Sequence, residues 1–247
     1  NQVVQFFKKP HKNRKFLGNL SLSGIFMFNR KILNNINKNS SEDFCKKTIP
    51  KLIKKNFKIF SYNTREYIKD AGTIKRVNQV NFDFSKGLIK KYSMKNKLPA
   101  IFLDKDGVLN KDSYDGSYQG NKKIYPYVKG CIKRFKLNGY LVVIITNQPA
   151  IAKGFVKEEK VQKDFRYLEN ILSNKKSFVD RIYYCPCHPH TGFVNEIKKY
   201  KRNCSWRKPN NGMLETAIKD LNINVLKSIM LGDRKEDYSA SKKSKIR

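Results

Sequence analysis

From Ala100 onward, short apolar runs alternate with longer stretches whose apolar residues recur at helical spacing, and no other feature restricts the fold as strongly. The pattern predicts strands at 100–104, 140–146, 181–184 and 228–232, and helices at about 128–138, 157–173 and 212–220. Strands that alternate with helices pair in parallel, because each return needs a crossover long enough to hold a helix. The expected fold class is therefore α/β, a parallel Rossmann-like sheet flanked by helices. Such sheets bind ligands beyond the carboxyl ends of their strands. That rule selects Asp104, the run Thr146-Asn147-Gln148, the Cys185 cluster and Gly232-Asp233 as one rim.

The first 92 residues read differently. VVQFF, GIFMF and FKIFSY predict short strands around a helical stretch at about 43–55, so a partial mixed α/β segment precedes the regular part. The basic, polar run KKYSMKNKLP at 90–99 reads as a linker. The division expected is 1–92, a linker at 93–98, and 99–247, with no internal repeat.

With 247 residues and 39% apolar content the chain can bury a core. No apolar run is long enough to span a membrane, and the Asn1-Gln2-Val3-Val4 start has neither an initiator Met nor a signal-peptide pattern. A soluble, cytoplasmic chain, even a fragment, is expected. The 53 Lys and Arg against 20 Asp and Glu give a formal charge of +33, which would attract phosphates or nucleic acid. These lysines are spread along the whole length without a basic block, so the charge reads as a solvated surface and a nucleic-acid partner is not expected. Oligomeric state is not legible.

Asp104 and Asp106 stand one residue apart at a strand end and would repel one another unless a cation lies between them or one stays protonated. A hard divalent ion removes the conflict. Asp104, a backbone carbonyl at the Asp106 position and Asp233 offer oxygen ligands to Mg²⁺, which keeps waters and takes a ligand from a substrate phosphate. Asp104 is then placed to attack phosphorus as a carboxylate nucleophile, and Asp106 to serve as acid and base. Thr146, Asn147 and Lys208 would meet the charge on the transferring phosphoryl group. Taken singly, each of these residues is an ordinary turn residue, cap or surface lysine; their order and spacing make one constellation.

LDKDGVLN, ITNQPAIAKGF, YYCPCHP, CSWRKPNNGM and MLGDRKED resemble the haloacid-dehalogenase (HAD) superfamily of phosphatases, and more narrowly the D,D-heptose 1,7-bisphosphate and histidinol-phosphate phosphatases, over residues 99–247. The resemblance implies Asp104 as nucleophile, Asp106 as acid/base, and Mg²⁺ on Asp104, Asp106 and Asp233. It also implies phosphate contacts from Thr146, Asn147 and Lys208, and substrate contacts from Gln148, Arg207, Asn110, Asp112 and Arg234. Asp237 would support Lys208 or the metal site. The resembled fold adds a further strand where this chain ends at Arg247, so a truncated sheet edge is expected.

Cys185, Cys187, His188, His190 and Cys204 form a soft-ligand set suited to structural Zn²⁺. The resembled pattern is C-x-H followed by C-x-C before Arg-Lys-Pro. Here Cys187 replaces the His and Trp206 replaces the last Cys. His190 or His188 is then the fourth ligand, and a decayed site with free thiols is the alternative.

VVQFFKKP, SGIFMFNR, DFCKKTIPKL and YIKDAGT resemble the C-terminal portion of sugar-phosphate nucleotidyltransferases over 1–92, which implies a sugar-phosphate contact from Lys9 and a metal contact from Asp70. Lys8 and Leu22 depart from that pattern, and no Gly-rich phosphate cradle is present in the sequence. This half is expected to be non-catalytic.

The function expected is Mg²⁺-dependent hydrolysis of a sugar phosphomonoester, D-glycero-D-manno-heptose 1,7-bisphosphate first. Histidinol-phosphate phosphatase, nucleic-acid 3′-phosphatase and a non-catalytic fragment are the alternatives.

Overall fold

The computed structural model describes residues 3, 22–36, 41–112, 118, 124–173 and 177–247. The chain divides into two compact units, Asn1–Ile89 and Lys90–Arg247. Among the described residues, no helix is long and apolar enough to cross a membrane.

In the first unit, Asn29 caps a 3₁₀ turn at Arg30–Asn35, its side chain accepting the Lys31 N–H at 3.0 Å. Asp43 opens a π turn at Phe44–Thr48 in the same way, through the Lys46 N–H at 2.8 Å. This turn runs into α1 (Ile49–Lys54), which has Pro50 in its first turn, where a missing N–H costs nothing. The helical stretch expected at 43–55 is thus present. A second helix, α2 (Ile74–Ser85), which was not among the expected elements, starts at the Thr73 cap. Its buried Asp83 is satisfied by the Tyr67 hydroxyl at 2.6 Å, the Gln79 amide at 2.8 Å and the Lys69 ammonium at 3.3 Å.

The strands expected at GIFMF and FKIFSY are not formed. A short apolar run becomes a strand only against neighbours that take its backbone groups. Ile59 accepts one bond from the Val3 N–H at 2.7 Å, but no ladder follows among the described residues. Most of the VVQFF run lies outside the described residues.

Helix α3 (Leu88–Tyr92) leads to the segment 93–98, expected as a linker. The Asn222 amide donates to the Met94 carbonyl at 2.6 Å, and buried Leu98 forms a parallel bridge with Ile223.

The second unit follows the expected alternation: β1 (Ala100–Leu103), α4 (Val128–Leu137), β2 (Leu141–Asn147), α5 (Pro149–Ala152), α6 (Glu158–Leu172), β3 (Arg181–Cys185), α7 (Gly212–Leu221), β4 (Ile229–Leu231) and α8 (Lys235–Lys243). All pairings are parallel, in the order β3-β2-β1-β4. Phe102, Val143 and Ile145 face Met213, Leu214 and Ala217 of α7, while Ile101, Leu103, Val142 and Ile144 face Val128 and Ile132 of α4 and Leu168 and Leu172 of α6. With both faces covered, β2 reads as a continuous apolar run rather than an alternating one. Phe102 is fully buried, and complete burial of such a side chain stabilises by about 1.5–3 kcal/mol. Along α6, Val161, Phe165, Leu168 and Leu172 form the inward stripe, and Glu158 and Glu159 complement the positive end of the helix.

This strand order matters for the site. The chain steps from β1 to β2 on one side and reaches β4 on the other, so the order reverses at β1. Beyond the carboxyl ends there, a crevice opens.

Candidate active site

Asp104 directly follows β1, and its N–H donates to the Leu231 carbonyl at 3.0 Å, carrying the ladder with β4 one residue further. Its carboxylate is buried, accepts the Lys105 N–H at 2.7 Å and pairs with the Lys208 ammonium at 2.9 Å. That ammonium also meets Asp237 at 2.5 Å and donates to the Ile145 carbonyl at 3.0 Å. Burial pushes Asp104 up to about 6, with the Asp237 charge adding to the rise and Lys208 opposing it.

Asp233 comes from the turn after β4, and carboxylate oxygens of Asp104, Asp233 and Asp237 lie within 4.8 Å of one another. Glycine at 107 makes this approach possible. Its φ is +91°, and a Cβ there would stand 2.2 Å from an Asp233 carboxylate oxygen. Gly232 does the same for Asp237, where a Cβ would meet the Asp237 side chain at 2.3 Å. Lys208 pairs with two of these three carboxylates, Asp104 and Asp237, and the remaining negative charge and all-oxygen donor set fit a hard divalent cation. Burial also raises Asp233, which the neighbouring carboxylates of Asp237 and Asp112 reinforce.

Asp106 is held apart from this group by other partners. Its carboxylate meets the Lys105 ammonium at 2.6 Å, the Asn110 amide at 2.8 Å and the Gln148 amide at 3.2 Å. Burial alone would raise its pKa, but the Lys105 charge and these hydrogen bonds outweigh it and hold the carboxyl below the usual range. Gln148 spans the two strand ends, since the same amide donates to the Thr146 hydroxyl at 3.1 Å.

The remaining expected residues sort into two groups. Asp104, Asp106, Asp112, Thr146, Asn147, Gln148, Arg207, Lys208, Arg234 and Asp237 all line one cleft of about 330 Å³. Arg207 donates to the Cys187 carbonyl at 3.0 Å, and Arg234 and Asp112 pair with each other. Asn110 sits behind the cleft as a support for Asp106. Asp70, expected on a metal, is exposed in the first unit and paired with Arg76, while Lys9 lies outside the described residues.

Sulfur atoms of Cys185, Cys187 and Cys204 gather within 4.8 Å of one another, all three as free thiols. The His190 imidazole does not join them: His190 is exposed, and its carbonyl faces the His188 ring at 3.3 Å. His188 lines the cleft instead. Lys105, Lys153 and Tyr118 also line it without having been singled out in the sequence. For Lys105 a signal was present, since a lysine between two rim aspartates has few directions in which to point.

The chain is similar to known proteins in both sequence and fold. The family model described as Polynucleotide kinase 3 phosphatase matches residues 78–245, and that described as Nucleotidyl transferase matches residues 1–86. A D-glycero-beta-D-manno-heptose-1,7-bisphosphate 7-phosphatase of Photorhabdus laumondii is 35% identical over 62% of this chain and 79% of that protein. The same organism's D-glycero-alpha-D-manno-heptose-1,7-bisphosphate 7-phosphatase is 36% identical over 61% of this chain and 80% of that protein. The crystal structure of D,D-heptose 1,7-bisphosphate phosphatase from B. bronchiseptica, complexed with magnesium and phosphate, superposes with a TM-score of 0.52 at 25% identity, covering 60% of this chain and 78% of that one.

Proposed function

The chain belongs to the family described as Polynucleotide kinase 3 phosphatase and to the HAD-type phosphatases that include the heptose-bisphosphate enzymes, and from that premise we propose that it hydrolyses the 7-phosphate of D-glycero-D-manno-heptose 1,7-bisphosphate. The carrying observation is the convergence of Asp104, Lys208, Asp237 and Asp233 at the point where the strand order reverses.

In this reading residues 99–247 form the phosphatase domain. An Asp104 oxygen attacks phosphorus, forming an aspartyl-phosphate while the bond from phosphorus to the sugar oxygen breaks. Lys208 and Thr146 face the phosphoryl oxygens, and Lys208 moves its charge from Asp104 toward them as the carboxylate is consumed. Asp106 gives its proton to the leaving oxygen, then takes one from the water that attacks the aspartyl-phosphate. The free protein holds Asp106 ionised, but an entering phosphate dianion raises its proton affinity. Asp104 and Asp233 would hold Mg²⁺, together with the Asp106 carbonyl; when bound, the ion offsets charge on the phosphoryl oxygens.

The same reading gives a structural zinc to Cys185, Cys187 and Cys204, three of the four donors that a closed structural site takes. Five free cysteines suit a reducing cytoplasm. Residues 1–92 are read as a non-catalytic remnant of a nucleotidyltransferase, consistent with Asp70 being paired to Arg76.

The test is phosphate release with Mg²⁺ from three substrates: the heptose bisphosphate, histidinol phosphate and a 3′-phosphorylated oligonucleotide. The first should be preferred, and Asp104→Asn should abolish release. The matched family model and the +33 charge favour the oligonucleotide as second reading. Preference for it, with steep salt dependence, would replace the sugar substrate.

A further inference from the structure

Asn147, expected from the sequence to touch the substrate phosphate, has both ends of its amide engaged by one peptide group 61 residues away. Its Oδ1 accepts the Lys208 N–H at 3.1 Å, and its Nδ2 donates to the Lys208 carbonyl at 3.1 Å. The pairing imitates one rung of a sheet, with a side chain standing in for a strand. Asn147 is itself fixed as the last residue of β2, in register with Cys185 of β3.

The other end of Lys208 is held just as firmly, its ammonium lying among Asp104, Asp237 and the Ile145 carbonyl. A lysine side chain is a flexible stem bearing a point charge, so the ammonium's position depends on where its backbone is anchored. With the peptide fixed to β2 by Asn147, the stem runs back along the same strand to Ile145 and across to Asp104. We propose that Asn147 is a positioning residue that acts on the reaction through Lys208, by fixing the peptide from which the ammonium reaches the nucleophile.

This rests on the phosphatase reading above. A direct phosphate ligand and a positioning residue predict different kinetics. If Asn147 acts through Lys208, Asn147→Ala lowers kcat by about 10²-fold, the scale of a 1 Å misplacement, with KM within about twofold of the parent. In a Lys208→Met background, which keeps the buried stem but removes the charge, adding Asn147→Ala should change kcat by less than about twofold. Asn147→Asp keeps the acceptor but puts a second oxygen against the Lys208 carbonyl. It should fall with Asn147→Ala, and its melting temperature gives an independent check of folding.

Multiplicative losses in the double variant, or a raised KM at unchanged kcat, would overturn the inference by placing Asn147 on the substrate. A parent protein that releases no phosphate from any of the three substrates would overturn the reaction and this inference together. An active parent with multiplicative losses removes only the inference.

Discussion

The unit Lys90–Arg247 covers both faces of its sheet, whereas the unit Asn1–Ile89 leaves Ile25, Met27, Phe60, Tyr62, Ile74 and Phe84 exposed. Both contain short apolar runs of the same character. In one, IFL and LVVII become fully buried strands; in the other, GIFMF forms no strand and FKIFSY holds a single bridge residue, Phe60, among the described residues. Burial follows from partners and not from the run itself. Each strand of the second unit has a neighbour in register and helices laid over it, while the described part of the first unit buries only Thr48, Ile49, Leu52 and Asp83. The same contrast separates the acidic residues. Asp104 sits buried against a lysine, and Asp70 pairs with Arg76 in solvent.

The largest effect that would break this contrast concerns activity. Asp104→Asn should reduce phosphate release by roughly 10⁴-fold or more, and Asp70→Asn should leave it unchanged, as measured by steady-state assay. A loss from Asp70→Asn would mean that the first unit takes part in the chemistry. Next comes stability. Phe102→Ala should cost about 3–5 kcal/mol in urea unfolding, while Phe60→Ala, 65% exposed, should stay within about 0.5 kcal/mol. Equal costs would show that the first unit has a core of its own.

Gly107→Ala should follow, with kcat falling by about 10²-fold, because the new Cβ forces Asp233 away from Asp104. Calorimetric titration with Mg²⁺ should show weakened binding, and unchanged binding would detach Asp233 from the metal. The smallest effect belongs to Glu169 on α6, which burial pushes from 4.5 up to about 7, against the opposing charges of Arg166 and Arg181. A carboxyl with a raised folded-state pKa carries no penalty below about pH 4.5 and loses stability as pH rises toward 7. Glu169→Gln should therefore melt close to the parent at pH 4.5 and above it at pH 8. A gap that shrinks with rising pH would contradict the assignment.

The regular half of the chain was legible because its periodicities agree with its burial. Strands predicted at 100–104, 140–146, 181–184 and 228–232 correspond to β1, β2, β3 and β4, with boundaries shifted by a residue or so. The acidic rim was legible for the same reason, since a strand end fixes where the next residue lies. What side chains do to one another was not. Asn110 and Gln148 both bond the Asp106 carboxylate, and nothing local to either residue reveals a partner 4 or 42 positions away. His188 and His190 both follow the cysteines closely in sequence, yet neither joins the three sulfur atoms, and His190 is exposed. In the first half the apolar runs signalled strands correctly in composition, but a strand is a property of a pair.

The central claim is that the Asp104 carboxylate takes the phosphoryl group. The most direct measurement is acid quench of the Mg²⁺-loaded protein within one turnover of the heptose bisphosphate, borohydride reduction, and peptide mass spectrometry across 100–111. A reduced, formerly phosphorylated side chain is expected at residue 104 and is absent from Asp104→Asn. Full phosphate release with Asp104 unmodified, or with the mark on another residue, would contradict it.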